Sequence, residues 1–123
     1  MKTKILIVDD FAPLTSVVRM VLVSRGAYEV RIENRSSSAV NTALEFRPDL
    51  ILMDVDMPTP NGSEVAATLR RSAGFSATPI VFLTSEAKAH KQALLMDEHF
   101  LAKPFDPQAL LETVSRLLPT TEN

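Results

Sequence analysis

Four apolar runs in this chain each lead to a polar residue that can do chemistry. Leu50-Ile51-Leu52-Met53 ends at Asp54, Ile5-Leu6-Ile7-Val8 at Asp9 and Asp10, Ile80-Val81-Phe82-Leu83 at Thr84, and Phe100-Leu101 leads to Lys103 before Pro104. A carboxylate such as Asp54 can attack a phosphoryl group and form an acyl phosphate, with Asp as the covalent acceptor. Three carboxylates gathered in one crevice would repel one another, and some would be driven toward protonation unless a cation stood between them. Mg²⁺ suits that task, since it takes oxygen ligands, commonly one or two carboxylates with waters and phosphate oxygens. Lys103 could pair with a phosphoryl oxygen, and Thr84 could donate a hydrogen bond as charge spreads over a transferring group. Plain structural uses stand beside these. Asp54 could open a loop, Asp9 and Asp10 could cap the next helix, Lys103 could be a surface charge and Thr84 a packing hydroxyl.

What would bring these residues together is the alternation of short apolar runs with amphipathic stretches. Leu50 to Met53 shows no polar alternation, as expected of a strand buried on both faces in a parallel sheet covered by helices. After the first strand, Leu14 to Arg25 reads as a helix with Leu14, Val17, Val18 and Val21 inward and Gly26 as its stop; Met20 and Val23 lie off that face. Tyr28 to Ile32 is a second strand, and Ser36 to Ser38 offers an N-cap for a helix carrying Val40, Ala43 and Leu44, stopped before Pro48. Val55 to Gly62 is a loop with Asn61-Gly62 as its turn, followed by a helix from Ser63 to Ala73 that turns Val65, Ala66 and Leu69 inward. A short helix over Lys88–Met96 separates the fourth and fifth strands. The last helix starts at Asp106 as N-cap with Pro107 at its first position, and buries Leu110, Leu111, Val114, Leu117 and Leu118. Five strands alternating with five helices predict an α/β fold, a doubly wound three-layer sandwich on a parallel sheet. Ligands of such sheets bind beyond the carboxyl ends of the strands, where the acids, Thr84 and Lys103 stand.

Composition bounds the function. The 123 residues suit one domain over 1–123, with a short polar tail after Pro119. A chain of this size buries about two-thirds of its unfolded surface, enough for a real core. Thirteen basic against fifteen acidic residues, a net charge of −2, leave no broad basic field for nucleic acid or anionic lipid. Having no cysteine, the chain can form no disulfide, Cys-ligated zinc site or thiol nucleophile. No apolar segment reaches bilayer-spanning length, and MKTKILIVDD turns acidic too soon for a signal peptide, so a cytoplasmic location is expected. His90 and His99 match no motif and read as surface residues.

The order acidic pair, acceptor Asp, hydroxyl residue, Lys-Pro, together with DVDMPTPNG, the TS pair and AKPF, resembles the receiver domain of two-component response regulators. The resemblance covers essentially the whole chain. It implies the flavodoxin-like strand order 2-1-3-4-5. Asp54 would be the phosphoacceptor, Asp9 and Asp10 would hold Mg²⁺ with Asp54 and the Asp56 backbone carbonyl, and Mn²⁺ could replace it. Thr84 and Lys103 would contact the phosphoryl group, the Lys103-Pro104 bond would be cis, and Asp56 and Glu86 would tune how long the acyl phosphate survives. The donor would be a histidine kinase or a histidine phosphotransfer protein. A downstream protein or a separate output domain would carry the signal onward.

The resemblance also implies a switch. A phosphoryl group adds about −1.5 to −2 of charge beside Thr84 and Lys103 and would draw the hydroxyl inward. The space left could admit Phe100 and shift the face made by Lys88–Met96, the fifth strand and the last helix. One departure bears on that face. The interval from Thr84 to Lys103 is about three residues shorter than is usual in the family, nearly one turn of helix. Met96-Asp97 also replaces the usual Gly-Ala pair, so an irregular segment is expected between Ser85 and Phe100. Met20 and Val23, exposed near the crevice, could dock the donor protein or be ordinary surface apolarity.

Two other classes stay open on the residues alone. Asp54-Val55-Asp56 resembles the DxD of haloacid-dehalogenase-type phosphatases, though that family carries the motif on its first strand. A pseudo-receiver serving only protein contacts would lack the acceptor or the Lys. As a receiver, the domain would not be an enzyme toward other substrates and would catalyse only its own phosphorylation and dephosphorylation.

Overall fold

Side-chain alternation along the strands divides the core of this protein in two. The computed structural model describes residues 2–72, 74–85 and 99–118. Its elements are β1 (Thr3–Val8), α1 (Ala12–Val23), β2 (Tyr28–Glu33), a 3₁₀ turn (Ser36–Ser38), α2 (Ala39–Phe46), β3 (Leu50–Asp54), α3 (Gly62–Arg70), β4 (Ile80–Ser85), β5 (His99–Lys103) and α4 (Pro107–Leu117). Successive residues of a strand point to opposite faces. Leu6, Val8, Ile51, Met53, Ile80 and Phe82 therefore pack with α2 and α3 on one side. Ile5, Ile7, Leu50, Leu52, Val81 and Leu83 pack with Val18 and Leu22 of α1 and Leu110 and Val114 of α4 on the other. Strands buried on both faces need no polar alternation, which is why β3 is apolar until its last residue and buried throughout.

All strands are parallel, in the order β2-β1-β3-β4-β5, so the doubly wound sandwich expected from the chain is the observed fold. Register aligns the functional rim. Val8 pairs with Met53, Asp54 with Leu83, and Ser85 with Lys103. Asp9, one residue past β1, thus arrives level with Asp54. No helix among the described residues is long and apolar enough to cross a membrane.

Several local expectations are corrected. α1 starts at Ala12 and buries Thr15, Val18 and Leu22, while Val17 is 54% exposed and Leu14 and Val21 are only partly covered. Counting valines misled here, because Thr15 can be buried: its hydroxyl donates to the Ala12 carbonyl at 3.0 Å. In α2 Ala39, Ala43 and Phe46 are buried and Val40 is partly buried against the same core, as expected of Val40 and Ala43, whereas Leu44 is exposed. Ser38 stands at the N-cap of α2 as expected, but it makes no side-chain cap hydrogen bond; the three serines form the 3₁₀ turn, and Ser36 Oγ donates to the Pro58 carbonyl. Asn61-Gly62 is a helix start, not a turn. Asn61 Oδ1 accepts from Glu64 N and Glu64 Oε1 from Asn61 N, a reciprocal capping box. α3 ends at Arg70, whose guanidinium turns to the carbonyls of Phe75 and Thr78. β4 extends to Ser85, which places Thr84 inside the strand. The expected helix over Lys88–Met96, with Glu86, His90 and Met96-Asp97, lies outside the described residues.

The last helix starts as expected, with Asp106 Oδ1 accepting from Ala109 N at 2.7 Å and Pro107 opening the first turn. Its inner face holds Leu110, Thr113 and Val114, with Leu118 just beyond the helix also buried and Leu111 and Leu117 half-buried beside it.

Candidate functional site

The same alternation aims the strand-end residues. Asp9, Asp54 and Lys103 continue the series of Ile5 and Ile7, Leu50 and Leu52, and Leu101, so they share the side of the sheet that α1 and α4 cover. Lys103 Nζ donates to Asp9 Oδ2 at 3.0 Å and to Asp54 Oδ1 at 3.3 Å, tying residues 94 and 49 positions apart. Asp9 is fully buried and Asp54 is 2% exposed, whereas Asp10 is exposed. Carboxylate oxygens of Asp9, Asp10 and Asp54 lie within 4.8 Å of one another.

Backbone donors hold two of these acids. Asp9 Oδ1 accepts from Phe11 N at 3.0 Å, and Asp54 Oδ1 from Asp56 N at 3.2 Å. Burial pushes the Asp54 carboxyl above its ordinary pKa, and the charge of Asp9 pushes the same way, against the pull of Lys103 and the Asp56 amide. Burial by itself would lower the Lys103 pKa. The hydrogen bond and charge of Asp9, joined by Asp54, more than offset it, and the net shift is upward. The ammonium is therefore held charged. Among the described residues three clustered carboxylates still face one cation, and such an all-oxygen, partly buried donor set fits a hard divalent ion.

Thr84 points the other way. It continues the series of Ile80 and Phe82, it is fully buried, and its hydroxyl has no hydrogen-bond partner among the described residues. Beside it Phe82 and Phe100, paired across β4 and β5, stack with ring centroids 5.5 Å apart. The Lys103-Pro104 peptide is cis, as is Thr59-Pro60. Asp56 is exposed at the mouth of the site, and His99 is exposed on β5. Met20 is 68% and Val23 44% exposed, on the outer side of α1 with Val17.

Some residues of the site escape pattern reading. Gly62, first in α3, is one: a Cβ there would collide with the Asp54 carbonyl oxygen, and its own N–H donates to the Val55 carbonyl at 3.3 Å. Asn34 is another. Its Nδ2 donates to the Asp9 carbonyl at 2.7 Å and to Thr15 Oγ1 at 3.2 Å. The signal was available, because Asn34 follows a strand as the acids do.

Comparison with known proteins decides the family. The model of the response regulator receiver domain matches residues 5–115. This chain belongs to the response regulator receiver domain family. As a receiver domain it acts in two-component signalling. It is 32% identical over 117 residues to the DNA-binding response regulator MtrA of Mycobacterium tuberculosis, covering 93% of this chain and 50% of that protein. With the probable transcriptional regulator ycf29 of Pyropia yezoensis it shares 31% over 121 residues, covering 96% and 54%. The receiver domain thus spans about half the length of these curated relatives. Among solved structures, chemotaxis protein CheY4 of Vibrio cholerae superposes with a TM-score of 0.84 at 33% identity, covering 96% of this chain and all of that one. The receiver domain of sensor histidine kinase PA1611 from Pseudomonas aeruginosa, described with a magnesium ion coordinated in its active site cleft, gives a TM-score of 0.84 at 29% identity over 95% and 98%. The phosphatase and pseudo-receiver readings lose their ground: DVD ends the third strand and not the first, and both Asp54 and Lys103 are present in one site.

Proposed function

We propose that this receiver domain takes a phosphoryl group onto Asp54 from a histidine kinase or histidine phosphotransfer protein. The observation that carries this is the ammonium of Lys103 within reach of both Asp9 and Asp54 beside a third acid. Attack by an Asp54 carboxylate oxygen forms a P–O bond as the donor's P–N bond breaks, its electron pair leaving with the donor imidazole. Lys103 stays protonated throughout, pairs with an oxygen of the transferring group and leaves Asp9 as it does so. The backbone N–H of Asp56 keeps the acceptor carboxylate aimed. Asp9, Asp10 and Asp54 would hold Mg²⁺ with the Asp56 carbonyl, and Mn²⁺ would serve in its place. When bound, the metal would offset the charge of the carboxylates and of the incoming phosphoryl oxygens.

The Thr84 hydroxyl, without a hydrogen-bond partner among the described residues, is the group that would respond. Drawn toward the phosphoryl group, it would leave room on the side of Phe82 and Phe100, and Phe100 would move into it. Asp56 and Glu86 would set the phosphate lifetime, and Met20 and Val23 would meet the donor. The domain would turn over no other substrate and would work in the cytoplasm. Its net charge of −2 supports no nucleic-acid contact of its own. A downstream protein, or an output region of the kind named for its DNA-binding relatives, would carry the response.

The test is intact mass after acetyl phosphate with Mg²⁺. Wild type should gain one phosphoryl group and Asp54→Ala none; equal labelling of both would overturn the assignment.

A further inference from the structure

We infer that Asn34 is a positioning residue for the metal-binding pair, acting through the peptide group that joins Asp9 to Asp10. The inference rests on the reading of Asp9, Asp10 and Asp54 as a cation site. The β1–β2 ladder ends at Val8 and Glu33, and the bond from Asp9 N to the Glu33 carbonyl, 3.2 Å, is its last main-chain link. Beyond that point the chain turns toward the 3₁₀ turn at Ser36, so β2 does not continue beside the Asp9 carbonyl. The side-chain amide of Asn34 supplies the donor instead, at 2.7 Å.

A carbonyl oxygen can only accept, which fixes the amide with its nitrogen toward Asp9. Its second proton goes to Thr15 Oγ1, and the Thr15 hydroxyl donates in turn to the Ala12 carbonyl. Each donor in this relay is used, and Thr15 at its centre is 1% exposed. The end of β2 is itself anchored, because Glu33 accepts from Thr42 Oγ1 at 2.6 Å and from Arg35 N at 3.0 Å.

The bonded carbonyl belongs to a planar unit that includes the Cα atoms of both acids. Displacing that unit would move the attachment points of the Asp9 and Asp10 side chains together. The clustered carboxylates repel, and a β1–α1 loop without the Asn34 bond could relieve the repulsion by spreading them. Asn34 holds the pair converged before any cation arrives.

The test uses the whole chain and measures Mg²⁺ affinity by calorimetry alongside the Mg²⁺ dependence of phosphorylation by acetyl phosphate. Asn34→Ala should weaken Mg²⁺ binding about tenfold, the lower end of what outer-shell substitutions do. At saturating Mg²⁺ its phosphorylation rate should return to that of wild type, which a damaged fold would not allow. Thr15→Val, which removes the middle of the relay, should shift affinity in the same direction. Thr42→Ala loosens the same end of β2 without touching Asp9 and should leave the affinity unchanged. Wild-type affinity in folded Asn34→Ala, or in Thr15→Val if the first variant fails to fold, overturns the inference. A wild type that takes up no Mg²⁺ would instead overturn the cation-site reading beneath it, which separates the two failures.

Discussion

Lys103 lies closer to Asp9 than to Asp54, 3.0 Å against 3.3 Å, and so divides one ammonium between two buried carboxylates. Removing it leaves both acids without their cation. Lys103→Met should destabilise the metal-free protein by about 2 kcal/mol, below the usual figure for a fully buried pair because the lysine keeps some solvent contact. Urea denaturation in EDTA measures this. Acetyl phosphate labelling of the variant should slow sharply, because no ammonium then meets the phosphoryl oxygens.

The upward shift at Asp54, caused by burial and then by Asp9, has a defined sign. Because the folded pKa exceeds the unfolded one, the Asp54 contribution to stability is full below its ordinary value of 3.8 and is lost as pH rises through the folded pKa. In EDTA at neutral pH, Asp54→Asn should therefore melt higher than wild type. The gap should close on acidification toward pH 3.8. Thermal melts across that range check it, and a gap that widens toward acid would contradict the shift.

Mg²⁺ should reverse that ranking. A ligand that binds only the folded form at about 100 times its dissociation constant adds about 2.7 kcal/mol. Wild type should gain such stability with Mg²⁺, and Asp54→Asn much less, in paired melts with and without the metal.

Thr84→Val replaces a buried hydroxyl that lacks a partner among the described residues. Such a group costs about 1–3 kcal/mol when left unpaired, so the variant should be more stable by about 1 kcal/mol in urea. It should still accept phosphate from acetyl phosphate, more slowly, but the spectral change at Phe100 on adding beryllofluoride with Mg²⁺ should vanish.

Met20→Glu with Val23→Glu places charge on the exposed apolar side of α1. Transfer from a cognate histidine donor should fall at least about tenfold, as expected when contact residues are lost, while acetyl phosphate labelling stays unchanged. Equal losses with both donors would refute docking there.

The rim of this site was readable in the chain because strands buried on both faces run apolar to their last residue and stop abruptly. Asp9, Asp54 and Lys103 stand where those runs stop, and the register brings them level. Buried polar residues satisfied from a distance were not readable in this way. Thr15 looks like a solvent position by pattern, yet Ala12 and Asn34 satisfy it inside the fold. Val17 shows the opposite case, an apolar residue left facing out. Asn61-Gly62 carries the letters of a turn, and Glu64 three residues on was the sign of a helix cap. Gly62 needs the Asp54 carbonyl beside it before its lack of a side chain means anything.

The parity of the strands carries a consequence for how such a domain diversifies. Asp54 and Lys103 look toward α1 and α4, while Thr84, Phe82 and Phe100 look toward the opposite layer, with a sheet one strand thick between them. Substitutions that retune one of these layers meet the other across the strands between them. The packing around Phe82 and Phe100 can therefore drift over evolutionary time while the acids on the opposite face keep the register that brings them level.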